Sequence, residues 1–255
     1  MSINESAYYT GHFTVLNKLL GTALSLKDKT VAVTGASGTM GRALMAELMR
    51  QGATPIAITT SPQADFPERI RVLSWQPGQE AGLKEAFRTV DILIINHGIN
   101  VHGARTPEAI SRSLEINALS ALALMDAFIA TVNPSSQATQ ATKEIWVNTS
   151  EAEVGPAFSP LYEISKRLIG DLITLKRQAS PCIIRKIILG PFKSNLNPIG
   201  VMSGEWVAKA VIGLAQRDIH NIIVTINPLT YIAFPIKEAA QFWYFRLFSR
   251  SSQSS

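Results

Sequence analysis

The chain is poor in the residues that mark a disulfide-built, nucleic-acid-binding or membrane-spanning protein. It has one cysteine in 255 residues, which excludes an internal disulfide framework and any site made of several thiolates. That residue, Cys182, lies in the apolar run CIIRKIIL, where a free thiol behaves as a small buried hydrophobe. Charged residues are 17% of the chain, and no dense Lys/Arg run accompanies the net charge of +5, so no nucleic-acid partner is expected. No uninterrupted apolar run is long enough to span a bilayer. The N-terminus has no basic stretch followed by an apolar one, the mark of a secretory signal. A cytoplasmic location is the expectation.

What is present is apolar: 46% of the residues, enough to fill a sizeable core and far from a disordered composition. Residues 1–28 form an extension in which Phe13, Leu16, Leu19, Leu20 and Leu24 recur at helical spacing, predicting a short amphipathic helix. From Lys29 the pattern alternates. Strands are expected at Thr30–Thr34, Thr54–Thr59, Arg69–Ser74, Asp91–Asn96, Glu144–Thr149, Cys182–Leu189 and Asn221–Ile226. Helices are expected at Gly41–Arg50, Gln79–Arg88, Pro107–Val132, Pro160–Ala179 and Gly204–Arg217, with a polar surface loop at Asn133–Lys143. Apolar strands separated by helices imply a parallel sheet covered on both faces. Right-handed crossovers make it doubly wound. The prediction is a single α/β domain, residues 29–227, with a Rossmann-type, doubly wound, parallel seven-stranded sheet. An aromatic and basic tail follows, residues 228–255.

The first strand runs into Thr34-Gly35-Ala36-Ser37-Gly38-Thr39-Met40-Gly41, and a helix starts at once. Small residues there let the backbone turn tightly, approach a pyrophosphate and bring helix and sheet together. The N–H groups of the helix N-terminus then face the anion. Gly35, Ser37, Gly38, Thr39, Met40 and Gly41 are therefore expected to bind a dinucleotide. The second strand ends in Thr59-Thr60-Ser61 with no acid to take a ribose diol. Those hydroxyls and Arg42 suit a 2′-phosphate instead, which favours NADP(H) over NAD(H).

Tyr162 and Lys166 stand four residues apart in YEISK, on one face of a helix. A free phenol titrates near pH 10, and a neighbouring cation favours its ionised form. The fifth strand ends in Val147-Asn148-Thr149-Ser150, so either Ser150 or Thr149 can present a hydroxyl to a substrate oxygen at the cofactor crevice.

TGASGTMG, the NHG of Asn96-His97-Gly98, Asn117 in the long helix, Ser150 and YEISK follow one another as in short-chain dehydrogenases/reductases, which the chain resembles over about residues 29–226. The resemblance implies Tyr162 as general acid/base and Lys166 binding the nicotinamide ribose and lowering the tyrosine pKa. It implies Ser150 orienting the carbonyl and Asn117 supporting a water-linked proton relay. Asn96, His97 and Gly98 would contact the cofactor, although His97 reads more as a structural histidine than a catalytic one. In Leu189-Gly190-Pro191-Phe192-Lys193-Ser194, Gly190 would give backbone room, Phe192 would line the cofactor and Ser194 would touch its amide. The implied reaction is hydride transfer between NADP(H) and a small-molecule carbonyl/alcohol pair, by a homodimer or homotetramer. Departures are the GxxGxxG spacing, NHG in place of NAG, Trp75-Gln76 in place of an adenine-contacting Asp, and a Ser150–Tyr162 interval one residue short. A non-catalytic dinucleotide-binding protein, and a sugar-nucleotide epimerase or dehydratase, are the competing readings. The short segment between Ser194 and Trp206 counts against the last. Glu151 and Glu153 read as solvated loop charges, with contact to a polar or cationic substrate as the alternative. The tail aromatics read as packing on the domain or a sister subunit, with peripheral membrane contact as the alternative.

Overall fold

The computed structural model describes residues 24–249 apart from 62, 133–141, 195, 196 and 198. The amphipathic helix expected around Phe13–Leu20 and most of the expected polar loop lie outside them. In chain order the elements are β1 (Thr30–Thr34), α1 (Thr39–Arg50), β2 (Thr54–Thr59), β3 (Arg71–Ser74), a 3-10 turn (Glu80–Leu83) leading into α2 (Lys84–Phe87), and β4 (Ile92–Ile95). Next come α3 (Pro107–Leu114), a π-helical turn (Glu115–Leu119), α4 (Ser120–Ile129), β5 (Glu144–Asn148) and a 3-10 turn (Glu151–Glu153). The rest is α5 (Pro160–Arg177), β6 (Ile183–Leu189), α6 (Gly204–Gln216), β7 (Asn221–Val224) and α7 (Thr230–Phe248).

The strands form one sheet in the order β3-β2-β1-β4-β5-β6-β7, every pair parallel. This is the predicted doubly wound α/β fold. The order reverses direction at β1–β4, and ligands of such sheets bind beyond the carboxyl ends at that point. Alternation along the strands sorts side chains between two cores. Val31, Val33, Ile92, Ile94 and Trp146 pack with Leu44, Leu48, Val207 and Val211 of α1 and α6. Ala32, Leu93, Ile95, Ile145 and Val147 pack with Phe87, Phe128, Ile169 and Ile173 on the other face. Cys182 is buried in that second core, and burial pushes its thiol up to about 11, which removes its reactivity at neutral pH.

The long helix expected over Pro107–Val132 is interrupted. Its π turn spans Glu115–Leu119 and contains Asn117. The Asn117 amide is drawn to the loop after β4, accepting from Ile99 N (2.7 Å) and donating to Ile99 O (3.0 Å). A π turn inserts one residue into an α-helix and often accompanies functional positions. Periodicity alone cannot show such an insertion, because the apolar face continues on both sides.

Candidate active site

The site lies at the carboxyl ends of β1, β4 and β5. At β1 the chain turns through Gly35, whose φ of +62° favours glycine. A side chain there would also stand 2.9 Å from His97 Cα, and one at Gly41 would stand 2.3 Å from Gly35 O. The two glycines let α1 begin hard against the sheet. Gly38 caps α1 without a side-chain bond, and no acid lies in the first turn, so neither a capping side chain nor a first-turn carboxylate competes with an anion for the first N–H groups. The Met40 side chain is buried in the core, leaving its backbone as the only part able to face a ligand. These features fit a dinucleotide pyrophosphate.

Beside this loop, Thr59 Oγ1 donates to Ser37 Oγ (3.1 Å) and accepts from Ser61 N (3.0 Å). Thr59 is thus turned inward and shapes the pocket; Ser37, Thr39, Thr60 and Ser61 are the hydroxyl residues here with access to solvent. Arg42 donates to Ser37 O (3.0 Å) and Asp65 O (2.8 Å) and lies over the Phe66 ring. It is held at the end of β2, where the ribose of a bound dinucleotide would lie.

His97 is enclosed. Its Nδ1 lies 2.8 Å from Thr34 Oγ1 and its Nε2 2.9 Å from Ser120 Oγ, with the Trp75 ring packed edge-on at 4.9 Å. The Ser120 hydroxyl gives its proton to Ile116 O (3.0 Å), so His97 donates from Nε2 and Nδ1 accepts from Thr34. Burial, reinforced by Lys166, brings its pKa down to about 3. This is a neutral structural histidine tying β1, β4 and the π turn together. Trp75, at the position of the missing Asp, is part of the same packing.

Asn148 Nδ2 donates to Asn96 Oδ1 (2.8 Å) across β5 and β4, and Asn148 O accepts from Lys166 Nζ (3.1 Å). Lys166 is buried, 5.6 Å from the Tyr162 ring centroid. Burial lowers its pKa to about 8 while the Glu153 carboxylate raises it. A Cβ on Gly98 would come within 3.1 Å of Asn117 Oδ1 and 3.7 Å of Lys166 Nζ. Asn117 Nδ2 also donates to Ser165 Oγ (3.0 Å) on α5. Gly98, Asn117 and Lys166 are thereby brought together.

The two candidate hydroxyls separate clearly. Thr149 Oγ1 donates to Ile187 O of β6 (3.3 Å) and is turned into the sheet. Ser150 caps the following 3-10 turn, accepting from Ala152 N (3.2 Å), and its hydroxyl acts on Tyr162. Burial raises the Tyr162 pKa and the Ser150 interaction lowers it.

Other expected residues lie at the rim. Gly190 donates to Val224 O (2.9 Å), and a side chain there would strike Thr225 Oγ1 at 2.2 Å; its room serves packing on β7. Phe192 bridges to Met202, and Ser194 Oγ accepts from Asn197 N (3.2 Å). No described hydrogen bond joins any of the three to Tyr162. Glu153 is a correction: it is buried, not solvated, and accepts from Lys237 (2.8 Å). Glu151 accepts from Thr225 (2.6 Å) and Thr230 (3.3 Å). Sequence reasoning missed Thr34 and Asn148, both ordinary strand-end residues, and it missed the partners of Glu153, Lys237 and Lys186, which come from a helix and a strand distant in the chain.

The chain matches the sequence profile of the NAD dependent epimerase/dehydratase family over residues 31–187. It belongs to that family. The family binds NAD(P), and its fold agrees with the resemblance to short-chain dehydrogenases. The chain is 56% identical over 255 residues to the monoglucosyldiacylglycerol epimerase of Synechocystis sp., an alignment covering 98% of this chain and 62% of that protein. The chain thus spans about three fifths of the length of this relative. Its fold is similar to a short chain dehydrogenase from Burkholderia cenocepacia in complex with NADP, at TM-score 0.71 and 18% identity, covering 89% of this chain and 100% of the other. A short chain dehydrogenase from Leptospira borgpetersenii with bound NAD+ has TM-score 0.64 and 22% identity, covering 78% and 91%. The chain is therefore an enzyme-family member whose relative is an epimerase, and the net carbonyl/alcohol reaction expected from the sequence is the finer and separate question.

Proposed function

We propose that the chain epimerises a hydroxyl-bearing carbon in the sugar of a glycosyl-diacylglycerol, with NADP(H) favoured over NAD(H) as its resident cofactor. The observation that carries this reading is Tyr162 set between Ser150 and Lys166 at the carboxyl edge of the sheet. The substrate class comes from the 56% identical relative. A bound nicotinamide supplies hydride exchange with the reacting carbon.

The chain's own groups handle the proton and the charge. Tyr162 accepts the hydroxyl proton of the sugar and later returns it. Ser150 donates to the same oxygen, stabilising the charge it gains as the proton leaves. Lys166, held by Asn148 O, keeps a cation beside the phenol ring, and Asn117 holds the loop that carries Gly98. Since epimerisation returns the hydride and proton it takes, no net oxidant is consumed. The oxidoreductase and epimerase readings share this machinery and differ in whether the hydride is kept. The small segment between Ser194 and Trp206, which counts against a nucleotide-bearing substrate, suits a single sugar ring on a lipid anchor. An intact Ser–Tyr–Lys set argues against a purely binding role.

The test is incubation with monoglucosyldiacylglycerol in mixed micelles and a catalytic amount of NADP(H), resolving the sugar epimers. Wild type is expected to form the epimer and Tyr162→Phe to lose it. Stoichiometric cofactor turnover on a carbonyl panel without any epimer would replace the reading with net oxidoreduction. Equal rates for Tyr162→Phe would remove Tyr162 from the chemistry.

A further inference from the structure

For a surface helix, α7 is inside out. Its inward side carries the polar groups. Lys237 pairs with Glu153 (2.8 Å) and Asp171 (2.9 Å), Glu238 pairs with the buried Lys186 (2.6 Å) and with Arg177 (3.0 Å), and Gln241 donates to Asp171 (2.8 Å). Its outward side carries Ile232, Ile236, Trp243 and Leu247, all exposed and spaced at four, seven and four residues, which is one stripe of a helix. No carboxylate lies on that side, and Arg246 is its only charge. The tail aromatics expected to pack on the domain are mostly in the open: Trp243 is 58% exposed and Phe248 72%. The helix is fastened by these ion pairs together with Phe234, which does pack on the domain, fully buried against Lys186.

The stripe starts at the mouth of the active site. Thr230, in the first turn of α7, donates to Glu151 (3.3 Å) just beyond Ser150. The loops after β5, β6 and β7, three adjacent strands, each bring exposed apolar side chains to this edge: Phe158, then Ile199 and Val201, then Ile226 and Leu229. Phe158 is 94% exposed, and its φ is +54°. A bulky residue enters that region only at an energetic cost, and such strain collects at functional positions. Here the residue in that conformation carries an apolar ring in the open, four residues before Tyr162.

We infer that this surface docks on a lipid bilayer, with Phe158 and the outer stripe of α7 entering the boundary between headgroups and acyl chains. The inference rests on the lipid-linked-sugar reading above. A substrate with two acyl chains stays in its leaflet, so a site acting on its sugar must meet the membrane at its own mouth, where the apolar residues stand. The surface chemistry favours a bilayer over a second copy of the chain. Trp243 and Tyr244 have the amphipathic rings that settle at membrane interfaces, beside Arg246 and without acid groups. The net charge of +5 adds attraction to an anionic leaflet. Among the described helices none is long and apolar enough to cross a membrane.

The experiment is co-sedimentation of the full chain with vesicles of phosphatidylcholine and phosphatidylglycerol, alongside the double variant Ile232→Glu, Ile236→Glu. Wild type is expected to sediment with the vesicles and the variant to bind about tenfold more weakly or worse. Its melting temperature and NADPH affinity should match the wild type, since neither side chain is buried. A wild-type chain that stays in the supernatant overturns the inference. So does a lipid-free dimer, seen by sedimentation equilibrium, that the double variant dissociates, since that assigns the stripe to a second copy. Vesicle binding lost in the variant, with no epimer formed by wild type, sustains the docking surface and sinks the substrate reading. Epimer formed from a soluble short-chain glycolipid without vesicle binding does the reverse.

Discussion

The Glu153 carboxylate fills the hollow left by the missing side chain of Gly170: a Cβ there would stand 2.1 Å from Glu153 Oε2. Gly170 is one turn beyond Lys166 on α5. The same carboxylate accepts from Lys237 of α7 and lies 3.7 Å from Lys186 Nζ of β6. One buried acid thus joins the turn after Ser150, α5, the sheet and α7, and its charge favours the ammonium form of Lys166.

Gly170→Ala is expected to expel this carboxylate. Overpacking together with a broken buried ion pair costs roughly 2 to 4 kcal/mol, read as a lower melting temperature. A variant as stable as wild type would show that Glu153 has a second place to go.

Activity is expected to decline as pH rises through about 8, where Lys166 loses its proton. Below that value the ammonium is retained, and above it the phenol ring loses its neighbouring cation. Glu153→Gln removes a charge that raises the Lys166 pKa, so the alkaline limb of the kcat/KM profile should move to lower pH. A limb that stays in place while the melting temperature drops would reduce Glu153 to a structural role.

Ser150→Ala should lower kcat by about 10²- to 10³-fold, as loss of an oxyanion donor does. Thr149→Val should change kcat by no more than a small factor, and removing its bond to Ile187 O should cost about 1 kcal/mol of stability. The opposite ranking in steady-state kinetics would transfer the role to Thr149.

Arg42→Ala should weaken NADPH binding by about ten- to a hundredfold, the range of a charge-assisted contact to phosphate, and leave NADH binding near wild type. Fluorescence titration with both cofactors distinguishes the cases. Equal loss for the two would mean that Arg42 only ties Ser37 to Asp65.

The alternation of apolar strands with helices was readable from the chain because period-2 and period-3.6 patterns are local properties. The glycine turn and the Tyr162–Lys166 pair were readable for the same reason, since each requirement is met within a few consecutive residues. The break in the long helix was not readable, because Asn117 leaves the α-helical register to bond Ile99, a residue from another element. Nor was the choice between Ser150 and Thr149, which depends on β6 lying beside β5 to accept the threonine hydroxyl.

The same division holds for the charges. In CIIRKIIL the sequence places Arg185 and Lys186 within an apolar strand, and nothing local says how they are tolerated. Arg185 is matched by Glu144 of the neighbouring strand (2.8 Å), and Lys186 by Glu238 of α7 (2.6 Å). By itself the sequence determined the fold class, the glycine turn after β1 and the placing of Tyr162 and Lys166 on one face of a helix. Only the tertiary structure turned Thr149 into the sheet and away from Ser150, buried Glu153 beside α5, and set the apolar side of α7 outward. Those outcomes depend on desolvation and pairing between residues far apart in the chain, which burial creates and sequence spacing does not encode.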